Sequence, residues 1–393
     1  MTRSDPIALS DPAINSVFSG LFNTAKSGVT VNQDTATRHT TVYACYKVLS
    51  EGVAGLPLNL MRSKKKNGKA HKEKAIEHPL YNLLHLRPND EMTSYTWMIA
   101  TMLNLVSRGV SYSQIIRNQR GDIAAIYPLL SDNMQVYRDE NNKMYFVYNS
   151  SKYGRVLLSK DEVLHTLGST LDGINPISPI QANANSLGLS IAMEEFGSNF
   201  FANGANGSGA FTTDQELSED AFNRLKSDLK TNYTSLMNSG KPMLLEEGLK
   251  YDKFTIPNND SQFLESRKYQ RSEIASIFRV PLHMINDLEK SSFNNMEQQS
   301  LDFAIHTLRP WVIALEQSMT VAFFGTSSEY YIKFNLAALL RGDTKTRYEA
   351  YGTGIRDGWL TRNEAREMED LNPIDGLDDP ILPLNMTNLK EEN

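Results

Sequence analysis

Along the chain, helical stripes of apolar residues alternate with short strand-like runs. In TTVYACYKVLSEGVAGLP, residues Val42, Cys45, Leu49, Val53 and Leu56 recur at three- and four-residue spacing, the pattern of a helix with one buried face. Gly55 and Pro57 end it. LNLMRSKKKNGKAHKE then reads as a hairpin, with Asn67-Gly68 supplying the positive-φ turn. A second helix is predicted from about Thr93 to Ser107. It leads into YSQIIR, IAAIYPL, NMQVYR and KMYFVY, strand-like runs separated by turn-rich stretches, so an α+β segment reaches about Thr170.

The next stretch, NANSLGLSIAMEEFGSNFFANG, predicts a helix with Leu189, Ala192 or Met193, Phe196 and Phe200 on one face, closed by Asn203-Gly204. Residues 207–257 read as an inserted βαββ module: the strand SGAFTT, a helix over 218–237 capped by Ser218, then KPMLLEE and KYDKFTI joined at Gly248. A helix over 260–278 follows, opened by a capping box of Asn259 and Gln262. The amide-rich stretch SSFNNMEQQ then enters a long helix, about 295–324, with Asn294 and Glu297 as its box. Leu301, Ala304, Leu308, Trp311, Leu315 and Ala322 form its stripe, which makes Leu308 and Trp311 packing residues. Pro310 lacks a backbone donor and should bend the helix near 306–310. YYIKFNLAAL is a strand, and helices over Arg347–Arg356 and Thr361–Glu369 follow, the last with the box TRNE. The first 36 residues are a polar arm, expected to be partly mobile, and the proline-bearing C-terminal tail is expected to be extended.

Composition narrows the function. At 393 residues, 40% hydrophobic and 22% charged, the chain has room for two or three domains of a soluble globular protein. No run is long and apolar enough for a membrane span, and the first twenty residues lack the apolar core of a signal peptide. The single cysteine, Cys45, excludes an intrachain disulfide and a cysteine-based zinc cage; on its helical stripe it reads as a buried hydrophobe in a reducing cytoplasm. A net charge of −6 argues against a protein built to grip phosphates. Lys64, Lys65, Lys66 and Lys69 cluster at a hairpin tip, where a solvated charge run is expected.

Catalytic patterns are missing. The Gly-Lys pairs at 68–69 and 240–241 are followed by Ala and Pro, so neither makes a phosphate loop. The glycines of NGANGSG precede a strand, which defeats a dinucleotide-binding reading. His71, His78 and His85 recur every seven residues, but Pro79 breaks the register. Ser63 and Lys66 match S-x-x-K without a nucleophile's context, and the pairs Asp139-Glu140 and Glu194-Glu195 are sequence neighbours that do not face one another. No enzyme, metal or cofactor is expected.

Several blocks do carry a resemblance: TTVYACYKVLSEGVAGLPL, HPLYNLLHLRPNDEMTSY, EVLHTLGSTLDG, FFANGANGSG, FLESRKYQRSEIASIFRVPLHMINDLEKSSFNNMEQQSLDFAIHTLRPW and FNLAALLRGDTKTRYEAYGTGIRDGWLTRNEAREMEDLNPIDGLD. In this order, over about 35–386, they resemble the portal proteins of tailed bacteriophages with long non-contractile tails. The resemblance implies an α+β portal fold: an arm at 1–36, a wing at 37–182, a stem helix at 183–205, a clip at 206–258, a second stem helix at 259–279, a tunnel loop at 280–295, a long helix and wing return strand at 296–342, and a crown at 343–393. It implies a homo-oligomeric ring, a dodecamer in virions, through which double-stranded DNA passes. The other implied partners are the terminase large subunit, the major capsid protein and a head–tail adaptor, with no membrane.

By the same resemblance, His283, Asn286, Lys290, Ser291, Ser292, Asn294 and Asn295 would lie along the channel. Glu246, Glu247 and Lys250 would face the motor and the adaptor. Hydroxyls and amides in such a loop can touch phosphates without the counterion-release affinity of a lysine-rich surface, which suits a sliding duplex. The sequence departs from the family's pattern at three turns. Arg279 stands where a glycine is usual before Val280-Pro281, Gly207 stands where a proline is usual, and Ile174-Asn175-Pro176 brings a proline to a glycine-centred turn. The competing reading is an enzyme or small-ligand domain with an unrecognised site.

Overall fold

The chain was analysed as a computed structural model that describes residues 25–66, 69–141, 143–202, 209–213, 218–228, 250–253, 260–287, 299–326, 329–336, 344–369 and 371–381. Its elements are, in order, α1 (Gln33–Arg38), α2 (Thr40–Ala54), β1 (Leu58–Lys66), β2 (Lys69–Lys74), α3 (Pro79–His85), α4 (Ser94–Arg108), β3 (Val110–Arg117), β4 (Ile123–Leu129), β5 (Met134–Arg138), β6 (Met144–Ser150), β7 (Gly154–Ser159) and β8 (Val163–Leu167). There follow α5 (Pro179–Ala182), α6 (Ala184–Ala202), β9 (Gly209–Thr212), α7 (Glu219–Asp228), β10 (Lys250–Lys253), α8 (Asp260–Ile277), α9 (Arg309–Phe324), β11 (Tyr330–Phe334), α10 (Thr344–Arg356) and α11 (Arg362–Met368).

The α2 stripe folds as its spacing predicts. Val42, Cys45, Leu49 and Val53 are all buried, and burial pushes the Cys45 thiol up to about 12, leaving it an inert apolar group. Helix α2 packs on α4, whose inner face is Trp97, Met98, Met102, Leu105 and Val106. Thr93 starts α4 by accepting the Thr96 amide at 3.2 Å, and Gly109 ends it at φ +77°. Helix α3 was not expected from periodicity. His78 initiates it by accepting the Leu80 amide on Nδ1 at 3.1 Å, with Pro79 in the first turn.

Three small antiparallel sheets surround this helical pair, ordered β11-β1-β2, β4-β3-β8 and β5-β6-β7. Strands β7 and β8 were not expected; the other strands of these sheets lie where the alternation places them. Strand β3 serves two cores by its two-residue period. Ile115 joins the main core, while Val110 and Tyr112 face a second core with Met134, Phe146, Leu158 and Val163.

In that second core His165 lies parallel to Tyr112, ring centres 5.0 Å apart, with Phe146 edge-on at 5.5 Å. Burial, with Lys160 adding to it, lowers the His165 pKa to about 4. The folded state therefore refuses a proton that the unfolded chain accepts below about 6.5. Stability is fully present above that pH and declines as pH falls from about 6.5 towards 4, by on the order of 3 kcal/mol. Thermal melts over this range should show the decline, and His165→Leu should flatten it; an equally steep decline in the variant would assign it to other groups.

The long helix runs on from Gln299, and its irregularity is a π segment over Phe303–Leu308. Pro310 cannot donate, and the Arg309 amide reaches Ala304, five residues back. The helix's departure from α geometry is thus a widened turn just before Pro310. Leu308 and Leu315 are fully buried, whereas Trp311 is only half-buried, its ring against Gly168. Two side chains fasten the helix to β11. Glu316 accepts the Phe334 amide and the Lys333 ammonium, each at 2.8 Å, and Thr320 accepts the Ile332 amide at 3.0 Å. In turn β11 pairs with β1, Leu58 opposite Phe334, so the chain's far end closes the first sheet.

The inserted module shows β9 paired with β10, and α7 beginning after Ser218. The expected strand KPMLLEE, the Asn203-Gly204 closure, the Asn259 cap, the Asn294–Glu297 box and the first 24 residues lie outside the described residues. Helix α6 forms, and its inward face is not the stripe of Leu189 and Phe196. Ala184, Leu187 and Ser190 are buried, while Leu189 and Phe196 are 51% and 52% exposed. At the C-terminal end the Thr361–Glu364 box forms as expected, and Asn363 exchanges two 2.9 Å hydrogen bonds with the Ile374 backbone.

Candidate functional site

Helix α8 stops in a Schellman arrangement: the Val280 amide donates to Ala275 O at 2.9 Å, and the Arg279 amide to Ser276 O at 3.1 Å. That closure needs a left-handed residue, and Arg279 supplies it at φ +55°. The glycine usual at this point in the resembling family would adopt the same backbone without the Cβ penalty. The Arg279 carbonyl is held by the Thr307 hydroxyl at 2.7 Å, so the strained turn is tied to the π segment. Arg279→Gly should stabilise the fold by up to about 1 kcal/mol, read as a higher melting temperature. A lower one would show that the arginine side chain contributes more than its backbone costs.

Beyond Pro281 a short 3₁₀ turn, Leu282–Ile285, closes the same way, with Asn286 left-handed at φ +62° and the Asp287 amide on Leu282 O at 3.0 Å. Arg271 of α8 donates to the Ile285 carbonyl and pins this turn to the helix. His283 is half-buried, with neither ring nitrogen hydrogen-bonded, and Asn286 is exposed. Lys290, Ser291, Ser292, Asn294 and Asn295 lie outside the described residues, as do Glu246 and Glu247. Lys250 is exposed at the start of β10, opposite Thr212.

A second polar feature was not foreseen. The start of α2, the middle of α6, α8 and the 3₁₀ turn enclose a cleft of about 430 Å³. Arg267 and Arg271 share a face of α8 with Lys268 beside them, and all three line this cleft together with His39 and Glu194. Glu194 pairs with Arg267 at 3.2 Å and lies 3.6 Å from His39 Nε2, which is 2.8 Å from the Ser190 hydroxyl. Burial lowers the His39 pKa, Glu194 pulling the other way. The only sequence signal for it is the basic spacing 267, 268, 271, which brings side chains of a helix to one side.

Among the described residues no group of three or more His, Cys, Asp or Glu side chains could hold a metal, and no helix is long and apolar enough to cross a membrane. The polar groups at hand are guanidinium, ammonium, amide and hydroxyl donors, suited to meeting oxyanions.

Comparison with known proteins gives this geometry its context. The family model for phage portal proteins matches residues 40–370. The portal protein of Enterobacteria phage HK97 is 29% identical over 357 residues, covering 88% of this chain and 82% of that protein. The probable portal protein of Streptomyces phage phiC31 is 30% identical over 386 residues, covering 94% and 82%. Among solved structures, a chain from the neck of a native gene transfer agent particle, computed with C12 symmetry, overlays with a TM-score of 0.59 at 19% identity, covering 94% of this chain and 97% of that one. An HK97 family phage portal protein from Corynebacterium diphtheriae overlays with a TM-score of 0.57 at 17% identity, covering 81% and 97%. The chain belongs to the phage portal protein family.

Proposed function

We propose that this chain is the subunit of a ring at one capsid vertex, the channel through which double-stranded DNA is packaged and ejected. The ring docks the terminase large subunit during packaging and the head–tail adaptor afterwards, and it sits against the major capsid protein. The observation that carries this reading is the family match over residues 40–370, most of the chain. The exposed Leu264 and Tyr269 on α8 support it, because large apolar groups in solvent are what a neighbouring subunit would cover. The chain performs no nucleotide hydrolysis in this scheme; the motor brings the ATPase.

Within the ring, α6 and α8 are the stem helices, residues 206–258 the clip and 280–295 the tunnel loop. The left-handed closures at Arg279 and Asn286 fix the direction in which the chain leaves α8. From there Lys290, Ser291, Ser292, Asn294 and Asn295 extend to the axis, with Asp287 and Glu289 offsetting part of the lysine's field. Glu246, Glu247 and Lys250 lie on the clip surface that meets the motor and the adaptor.

Deleting Lys290–Ser292 tests the channel assignment. Rings should assemble as before, since the deletion spares the closures at Arg279 and Asn286, and the DNA packaged or retained per particle should fall. Heads filled to the wild-type level by the deletion protein would refute a channel role for this loop.

A further inference from the structure

We infer that the N-terminal arm is a strap for α6: residues 14–22 lie along that helix and cover the apolar stripe that begins at Leu189. The contact is internal to one chain and stands independently of the ring reading.

The arm is polar by composition, but its apolar residues are ordered. Ile14, Val17, Phe18, Leu21, Phe22 and Ala25 recur at three- and four-residue spacing, the pattern of a helix with one apolar face. Asp11-Pro12 ahead of them is a helix-start signal, a capping residue followed by proline at the first helical position. Ser16, Ser19 and Asn23 fall on the opposite side of the pattern.

The described chain begins on α6 itself. Ala25 is 3% exposed, and the Lys26 amide donates to Asn185 Oδ1 at 3.0 Å. Ala25, Ser27 and Val31 crowd Gly188, where a Cβ would stand 2.4 Å from that of Ala25, so the approach depends on a glycine. These contacts give the arm a direction. Followed towards its start, the chain passes from Asn185 at Lys26 to Gly188 at Ala25, nearly one turn further along α6. Continued in that sense, residues 24 to 14 run antiparallel to α6 and over Leu189, Ala192, Met193 and Phe196.

That stretch of α6 is apolar and open. Leu189 is 51% exposed, Ala192 and Met193 are half-buried, and Phe196 is 52% exposed even though its ring meets Phe263 with centres 6.3 Å apart. The four are spaced by three and four residues, so they form one stripe, on the side of the helix away from the buried Ala184, Leu187 and Ser190. The lengths agree: residues 189–196 span ~10.5 Å of helix and residues 14–22 would span ~12 Å. Only Asn23 and Thr24 separate Phe22 from the seated Ala25, so the chain's own arm reaches the stripe without a linker. A neighbouring copy's arm would have to leave its own anchorage to do the same. With the strap seated, Ser16, Ser19 and Asn23 replace an apolar face by a polar one.

Cross-linking tests this in the full-length protein carrying Phe22→Cys and Ala192→Cys, treated with a short bismaleimide. Cys45 is buried and its thiol is pushed up to about 12, so the introduced pair are the reactive thiols. The expected product is a single chain closed by one linker, seen by mass and on a denaturing gel, forming at the same rate on dilution. A ladder of linked chains would give the stripe to a neighbouring copy's arm and overturn the proposal, and so would thiols that each react without linking. A second measurement uses melts. Phe22→Asp and Leu189→Asp should each lower the melting temperature by about 2–4 °C, and the double variant should lose little more than either, because both break one contact. A Phe22→Asp chain that melts with wild type, or fully additive losses, would overturn the strap while leaving the ring reading untouched.

Discussion

Replacing Trp97 by alanine is expected to cost about 3–5 kcal/mol, the largest loss from any single truncation considered for this fold. Trp97 is completely buried on the inner face of α4, and its indole N–H donates to the Ser113 hydroxyl on β3 at 3.1 Å. The ring therefore joins the central helix to the central strand of the β4-β3-β8 sheet. Alanine would leave a cavity that close-packed neighbours refill only in part, and Ser113 would lose its partner. Trp97→Phe keeps most of the volume and loses the hydrogen bond, so its cost should be clearly smaller. Thermal melts of the two variants check the order. Equal melting temperatures for Trp97→Ala and wild type would show that this contact holds nothing together.

Gly109→Ala should cost about 2–4 kcal/mol. Gly109 ends α4 at φ +77°, and a Cβ there would lie 2.4 Å from the carbonyl oxygen of Ile177. That oxygen is backbone, so the 169–178 loop would have to retreat, and with it Ser178, whose hydroxyl donates to Ser107 O at 2.9 Å. Gly28 provides the control. Its φ is +79°, but a Cβ would meet nothing within 4 Å, so Gly28→Ala carries the conformational cost alone, about 1–2 kcal/mol. The difference between the two melts isolates the steric part. Indistinguishable losses would mean that the loop yields freely.

The elements legible in the sequence are those where one period and one buried face coincide. Helix α2 needed only the spacing of Val42, Cys45, Leu49 and Val53, and the Thr361–Glu364 box marked its own helix start. Helix α6 failed that test because Leu187, Leu189, Ile191, Met193 and Phe196 are apolar on more than one side, so spacing alone could not choose the inward face. A helix that packs on α8 and, as proposed here, also carries the N-terminal arm has two apolar faces. Strand β7 was hidden for a related reason: Leu157, which faces away from the core, is 68% exposed, which blurs the alternation. Helix α3 begins on a histidine cap, which propensity does not flag. Pro310 announced an irregularity, but not its form, a π turn before the proline from which Thr307 reaches the Arg279 carbonyl.

For the candidate site, Arg279 was visible as a departure from the family's glycine, and its left-handed backbone only in the structure. The cleft around His39 was not, because residues 39, 194, 267, 268 and 271 converge only when α2, α6 and α8 pack. Long-range convergence of this kind leaves no local periodicity to read.

The ring itself is the direct measurement. Purified full-length protein should image in negative stain as closed rings with a central hole, with twelvefold averages in assembled particles and a mass to match by light scattering. A protein that stays monomeric at every concentration, with no annular particles, would contradict the assignment.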